Sequence, residues 1–367
     1  MRVASALLPA AFAVLLGCGS PSAAPPSPAP EPPAPAAKTV RVGSRDLVLS
    51  GPFVHGSLAL FALSGEATDA REFLSLDQGL GAGTVVMAEK GTADGRDAAQ
   101  VNELVLENRS DRWLFLQAGD VVKGGKQDRV VAQDLVVPPH AAPQPLAAFC
   151  VEHGRWQAEG DYRGRGEILF TSNTALVNGP ELKRAIQAEG DQQRVWAEVA
   201  QVNQDIELQG SAGGMFMPSA TGTYNSVLSN KEVVGRRDAA VHALLDRVLE
   251  GGRAVGMAVA IGERVVGVET YASPGLFRAM ARKLVESYAL DAVLAERPGA
   301  ATPPPTGAEA VRAFLAEAGK GAGKDEALRG SMRRRVLETS IIMGYEYRVF
   351  REETPEDAAI HASYIRK

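Results

Sequence analysis

Apolar residues along this chain fall mostly into short runs closed by glycine, proline, asparagine and aspartate. That is the pattern of strands joined by turns. Val40, Val42, Leu47 and Leu49 alternate with polar neighbours and predict a first hairpin. Leu58–Leu63 is apolar throughout and predicts a strand. Phe73, Leu74 and Leu76 begin a short helix or turn, Gly79–Gly83 a loop, and Thr84–Glu89 the next strand. Leu104 and Leu106 are predicted to pair with Trp113–Leu116 around the turn-rich Asn108–Asp111. A helix is expected from Pro180 to about Leu208, on the spacing of Leu182, Ile186, Val195, Val199 and Val202, with Gly190 its weak point. Val241, Leu244, Leu245 and Val248 mark a second helix, capped by Asn230 and ended by Gly251-Gly252. Val255–Ile261 and Val265–Thr270 read as a hairpin about Gly262-Glu263. Ser273-Pro274 then opens a third helix carrying Leu276, Phe277, Met280, Leu284 and Tyr288. An extra, exposed helix is expected at about residues 306–320. Val336–Ile342, Tyr345–Phe350 and His361–Ile365 close the chain as strands, the last paired back into the main sheet. The expectation is an α+β fold: a mostly antiparallel sheet with about three principal helices packed on it, one domain over residues 39–367.

The first residues read differently. Arg2 precedes the apolar run Leu7–Leu16. The run is shorter than the roughly 20 residues a spanning helix needs, and it fits a signal peptide over residues 1–17. Leu15-Leu16-Gly17-Cys18 resembles a bacterial lipobox. The resemblance implies that Cys18 is lipidated and heads the mature chain. Residues 18–38 form a linker whose core, Pro21–Ala37, holds eight of the 22 prolines. Such a segment cannot bury a core and stays an extended, disordered tether. Gly19 and Ser20 follow the cysteine with no aspartate. By resemblance to proteobacterial lipoproteins this implies the cell envelope, at the outer membrane, facing the periplasm or the surface.

Charge and cysteine narrow the chemistry. The whole chain carries a net charge of −5, with 39 basic and 44 acidic residues. That argues against a nucleic-acid partner, which needs a basic face. Once Cys18 is acylated, Cys150 has no internal disulfide partner. No HExxH, CxxC or GxSxG motif occurs, so no metal site, no cofactor and no ready-made nucleophile are expected.

The densest stretch is Gly119–Trp156. Polar knots, Lys123–Arg129 and Cys150–Trp156, flank an apolar segment closed by Pro138-Pro139. Both knots are expected at the rim of one antiparallel sheet. The first knot is no phosphate-binding loop, since Gln127 stands where Ser or Thr would hold magnesium. Its glycines suit positive φ in a hairpin or bulge. Lys123, Lys126 and Arg129 then make either a solvated basic turn or an anion cradle. In the second knot, Glu152 and Arg155 read as an ion pair capped by Trp156, and Cys150 as a buried small hydrophobe or a thiol beside His153.

Gly124-Gly-Lys-Gln-x-Arg129, an apolar run ending in Pro-Pro, and Cys150-Val-Glu-x-Gly-Arg-Trp156 together resemble the ARPP-1 domain. Asp120, Asp128 and His153 depart from its pattern. The resemblance implies a domain extent and no reaction. The expected function is therefore an envelope lipoprotein, bound to the membrane through Cys18, whose domain takes a small-molecule or envelope-polymer ligand. The expected ligand-binding residues are Lys126, Gln127, Arg129, Arg155 and Trp156. The alternative is a hydrolase or transferase using Glu152 as general base, with Arg129 and Arg155 binding an anion.

Overall fold

Val40, Val42, Leu47 and Leu49 do alternate between buried and exposed neighbours, in the hairpin of β1 (Thr39–Val42) and β2 (Arg45–His55). The computed structural model describes residues 39–89, 103–154, 170–177, 179–210, 222–224, 231–296, 306–328, 332–349 and 359–367, all within the compact unit Lys38–Lys367. The signal peptide, Cys18, the tether and the Asn230 cap lie outside the described residues. No helix among the described residues is long and apolar enough to cross a membrane.

After the hairpin come β3 (Leu58–Ser64), β4 (Phe73–Ser75), helix α1 (Leu76–Gly81) and β5 (Val85–Glu89). Next are β6 (Glu103–Asn108), β7 (Trp113–Leu116), β8 (Asp120–Gly124), β9 (Arg129–Val131), β10 (Leu135–Val137), β11 (Ala141–Cys150) and β12 (Phe170–Leu176). Three helices follow, α2 (Pro180–Arg184), α3 (Gln192–Gly210) and α4 (Lys231–Leu249). The chain then forms β13 (Ala254–Ile261), β14 (Arg264–Tyr271), α5 (Pro274–Ala295) and α6 (Ala308–Ala318). It ends in β15 (Ala322–Ala327), β16 (Met332–Glu338), β17 (Ile342–Val349) and β18 (His361–Arg366).

The strands form three sheets, not one. The largest has nine strands in the order β1-β2-β3-β13-β14-β18-β17-β16-β15. A six-stranded sheet runs β12-β8-β9-β11-β6-β5, and a three-stranded one β10-β7-β4. Pairing is antiparallel except between β4 and β7. The fold is thus α+β and mostly antiparallel, with six α-helices among the described residues rather than three.

The central strands are apolar on both faces because both faces are covered. In β3, Leu58, Leu60 and Ala62 enter one core, while Ala59, Phe61 and Leu63 enter another. The first core is closed by α4 and α5. The second is filled by Val311, Phe314, Leu315 and Ala318 of α6. Helix α6 is therefore a core element and not the exposed helix expected from its sequence. Around it the nine-stranded sheet curls far enough that its first turn reaches its far strands. A Cβ added at Gly43 would lie 3.2 Å from Glu346 Oε1 and 3.5 Å from the Tyr364 hydroxyl.

Three further expectations change. The helix expected from Pro180 breaks: α2 passes into a π turn at Ala185–Glu189, Gly190 takes φ 62°, and α3 starts afresh. β6 and β7 do not pair with each other. The Asn108 side chain donates to the carbonyls of Arg112 and Pro138, both at 2.9 Å, and accepts from Ser110 Oγ at 2.7 Å. The connector is thereby pinned as a corner, and β6 joins β5 and β11 while β7 joins β4 and β10. The apolar run after Arg129 is likewise split between β9 and β10, with Asp134 at the crossing.

The hairpin β13–β14, the Ser273 cap and the return of β18 follow the sequence reading. Gly262 has φ 59° at the turn, Ser273 Oγ accepts from the Leu276 amide at 3.2 Å, and β18 lies between β14 and β17.

Candidate functional site

The two polar knots come together because β9 pairs with β11, which sets Arg129 opposite Cys150. The β8–β9 turn needs glycine. Gly125 has φ 58°, and a Cβ there would meet Phe170 Cζ at 2.3 Å and Glu89 Oε1 at 2.7 Å. With that room, the Lys126 amide donates to Glu89 Oε1 at 2.7 Å. Arg129 pairs with the same oxygen at 3.4 Å and donates to the Gln127 carbonyl at 3.1 Å. Gln127 Nε2 donates to the Glu152 carbonyl at 2.6 Å, and Glu152 Oε2 accepts from the Asp128 amide at 3.1 Å. Asp128 in turn accepts from the Gly124 amide at 3.1 Å and from Thr223 Oγ1 at 2.8 Å.

Of the residues singled out from sequence, Lys126, Gln127, Arg129 and Glu152 therefore form one cluster, all buried. Arg129 takes Glu89 as its acidic partner. Arg155 and Trp156 lie outside the described residues. Cys150 is fully buried, and burial pushes its thiol up to about 11 against the opposing pull of Arg129. Gln192 brackets its backbone with two bonds of 2.8 Å. His153 is exposed and meets the Trp196 ring edge-on, with 4.6 Å between centroids.

A second polar chain runs through the interior, and sequence reasoning missed it. His361 lies between two carboxylates, with Nδ1 2.6 Å from Asp134 Oδ2 and Nε2 2.9 Å from Glu269 Oε2. Glu269 Oε1 also receives Lys183 at 2.7 Å, Ser363 at 3.0 Å and Tyr288 at 3.0 Å. Burial alone lowers His361, but Asp134 and Glu269 outweigh it and push it up to about 9. Burial alone raises Glu269, but Lys183 and then His361 hold it down at about 2. Both ring nitrogens face carboxylates, so His361 is a cation at neutral pH. Tyr271 stacks on the imidazole at 4.6 Å and donates to Gln117 Oε1 at 2.6 Å. Nearby, Lys283 bridges Asp120, at 2.7 Å, and Asp77.

One acid departs from this closed pattern. Asp291 of α5 is half-buried, and burial pushes it up to about 7 although Lys183 pulls the other way. The sequence signal for this polar chain was present but weak: single charges at Asp134 and Glu269 inside otherwise apolar segments.

An accessible concavity lies elsewhere. A cleft of about 660 Å³ is walled by β1, α6 and the β16–β18 face. Arg41, Arg312, Arg335 and Arg348 line it against the single acid Glu346. Glu346 is already committed, accepting from Tyr364 at 2.5 Å and Arg348 at 2.7 Å. Arg312 bonds Glu309 at 2.7 Å, and Arg41 bonds Asp46. Arg335 differs: its guanidinium rests over Gly323, where a Cβ would lie 2.2 Å from Nε. Unlike the other three arginines it has no bonded acid among the described residues, while its buried Nε, like that of Arg348, has no hydrogen-bond partner among them. The arrangement offers an anion a charged, partly desolvated fork.

Comparison with known families gives a match over most of the chain. The model of the ARG and Rhodanese-Phosphatase-superfamily-associated Protein domain, ARPP-1, covers residues 46–365. Neither the curated proteins nor the solved structures give a match.

Proposed function

Starting from the premise that the chain belongs to the ARPP-1 family, we propose that its domain is a binding module for an anionic ligand, carried on a lipid-anchored envelope protein. The observation that carries this reading is Arg335, a guanidinium in the cleft wall with no bonded acid among the described residues, beside a single lining acid, Glu346, that is already bonded to Tyr364 and Arg348. Leaving such a donor unsatisfied is costly unless a ligand or water completes it. In the knot cluster the groups suited to chemistry are spent on the protein itself. The Glu152 carboxylate accepts a backbone amide and the Cys150 thiol is buried. That supports binding over the alternative in which Glu152 is a general base.

The test uses the full chain carrying Cys18→Ser, so that it stays soluble, and titrates citrate and polyglutamate at constant ionic strength while following thermal unfolding. An anion at 100 times its Kd is expected to stabilise by about 2.7 kcal/mol. Arg335→Ala is expected to unfold at the unliganded wild-type temperature and to lose most of that gain. Equal stabilisation of both proteins would overturn the reading. Anchoring is tested separately. Wild type is expected to take up a fatty-acid analogue and fractionate with membranes, and Cys18→Ser to do neither. An unlabelled wild type would remove the lipoprotein half of the proposal.

A further inference from the structure

β1 is the outermost strand of the nine-stranded sheet and, among the described residues, pairs only with β2. Val42 stands opposite Arg45 and Val40 opposite Leu47, across the two-residue turn Gly43-Ser44. In an antiparallel pair closed by such a turn, the flanking residues exchange both hydrogen bonds and the next pair exchanges none. Val42 and Val40 therefore spend their backbone groups on β2. Arg41 and Thr39 turn theirs to the outer edge. That edge is one wall of the cleft, with α6 and the β16–β18 face completing it. An open edge is a template for a further strand unless something blocks it. Here the blocking devices are weak: the only charge on β1 is Arg41, and its side chain is drawn to Asp46 on the neighbouring strand.

The occupant's chemistry follows from the walls. Across from β1 stand Arg335 and Arg348, with Arg312 on α6, and the one acid among them is already bonded. An added strand projects alternate side chains to one side, so an acidic residue on it would face these arginines.

We propose that the cleft takes an extended acidic peptide segment, which adds to the free edge of β1 through its backbone and meets Arg335 with a carboxylate. This rests on the anion-binding reading of the same cleft and narrows its ligand to a polypeptide. Strand addition gives affinity through main-chain bonds and specificity through alternate side chains. At the Gly43 end the far strands come close, since a Cβ added at Gly43 would lie 3.2 Å from Glu346 Oε1 and 3.5 Å from the Tyr364 hydroxyl.

The probe is an acetylated, fluorescein-labelled octapeptide of alternating threonine and glutamate, measured by anisotropy on the Cys18→Ser full chain. Two N-methylated versions accompany it, one methylated at every threonine amide and one at every glutamate amide. Saturable binding of the parent peptide is expected, weakened about tenfold by Arg335→Ala, the loss of one charge-assisted bond. One methylated version is expected to lose at least about tenfold while the other stays within about threefold, because only one alternate set of amides faces β1. Arg41→Pro, which removes an outward N–H and no bond to β2, is expected to reproduce the loss. Equal binding of both methylated versions would overturn strand addition. If citrate still stabilised in an Arg335-dependent way, anion binding would stand. Failure of citrate and peptide alike would remove both readings. A chain lacking residues 21–37 that bound the peptide about tenfold more tightly would assign the edge to the chain's own tether, and would also overturn the proposal.

Discussion

The most direct test of the interior polar chain is His361→Phe. An aromatic ring is kept to face Tyr271 and Phe115, while both bonds to carboxylates are lost. Two routes give the size of the effect. Counting bonds, two contacts to charged groups are each worth about 1.5–3 kcal/mol. Counting protons, a rise from 6.5 to about 9 converts at about 1.36 kcal/mol per pH unit to roughly 3 kcal/mol. The routes meet near 3 kcal/mol. The sign follows from the direction of the shift. His361 holds its proton more tightly folded than unfolded, so its contribution is complete below pH 6.5 and is lost as pH rises through 9. Glu269, held down at about 2, contributes above 4.5 and loses that contribution as pH falls toward 2. Urea unfolding of the Cys18→Ser chain, followed by tyrosine and tryptophan fluorescence at pH 6, 7.5 and 9, reads the effect. The variant is expected to be about 3 kcal/mol less stable at pH 6, with the gap closing by pH 9. A gap under about 1 kcal/mol at pH 6, or one that stays constant to pH 9, would refute the picture of a buried imidazolium between two carboxylates.

Four further outcomes are expected. Arg129→Met breaks the buried pair with Glu89 and should cost about 3–5 kcal/mol in urea unfolding. Glu152→Gln keeps an acceptor for the Asp128 amide and should cost under about 1 kcal/mol, so equal costs would contradict the bonding described. Asp291→Asn should stabilise the protein. A carboxyl raised from 3.8 to about 7 on folding loses stability as pH climbs through that window, so the gain should appear across it and level off above pH 7, at roughly 1–2 kcal/mol after allowance for partial exposure. A variant no more stable at pH 8 than at pH 4, relative to wild type, would show that burial does not burden this group. Cys150 should react with thiol reagents far more slowly in the folded protein than in urea, being buried and pushed up to about 11; equal rates would place it at the surface.

What the sequence determined by itself was local. Leu58–Leu63 read as a strand, and its six consecutive apolar residues leave no face for water. Gly262 fixed the β13–β14 turn and Ser273-Pro274 fixed the start of α5, because positive φ, the side-chain cap and proline's φ each act within a few residues. The two knots announced themselves by composition, and their meeting across β9 and β11 needed only one strand pairing. The tertiary structure decided what no window of sequence contains. Helix α6 looked exposed because its partners, Val40, Phe61 and Val268 among them, are scattered along the chain and gather only when the nine-stranded sheet curls. The break at Gly190 was legible as a weak point, but whether the chain continued or turned there depended on what each half could bury. Asp134 and His361 stand 227 positions apart, and nothing in either neighbourhood marks them as partners. A carboxylate and an imidazolium removed from water hold their charges only when they are brought together, so their pairing is dictated by desolvation in the folded interior, a condition that does not exist until the three sheets have closed around them.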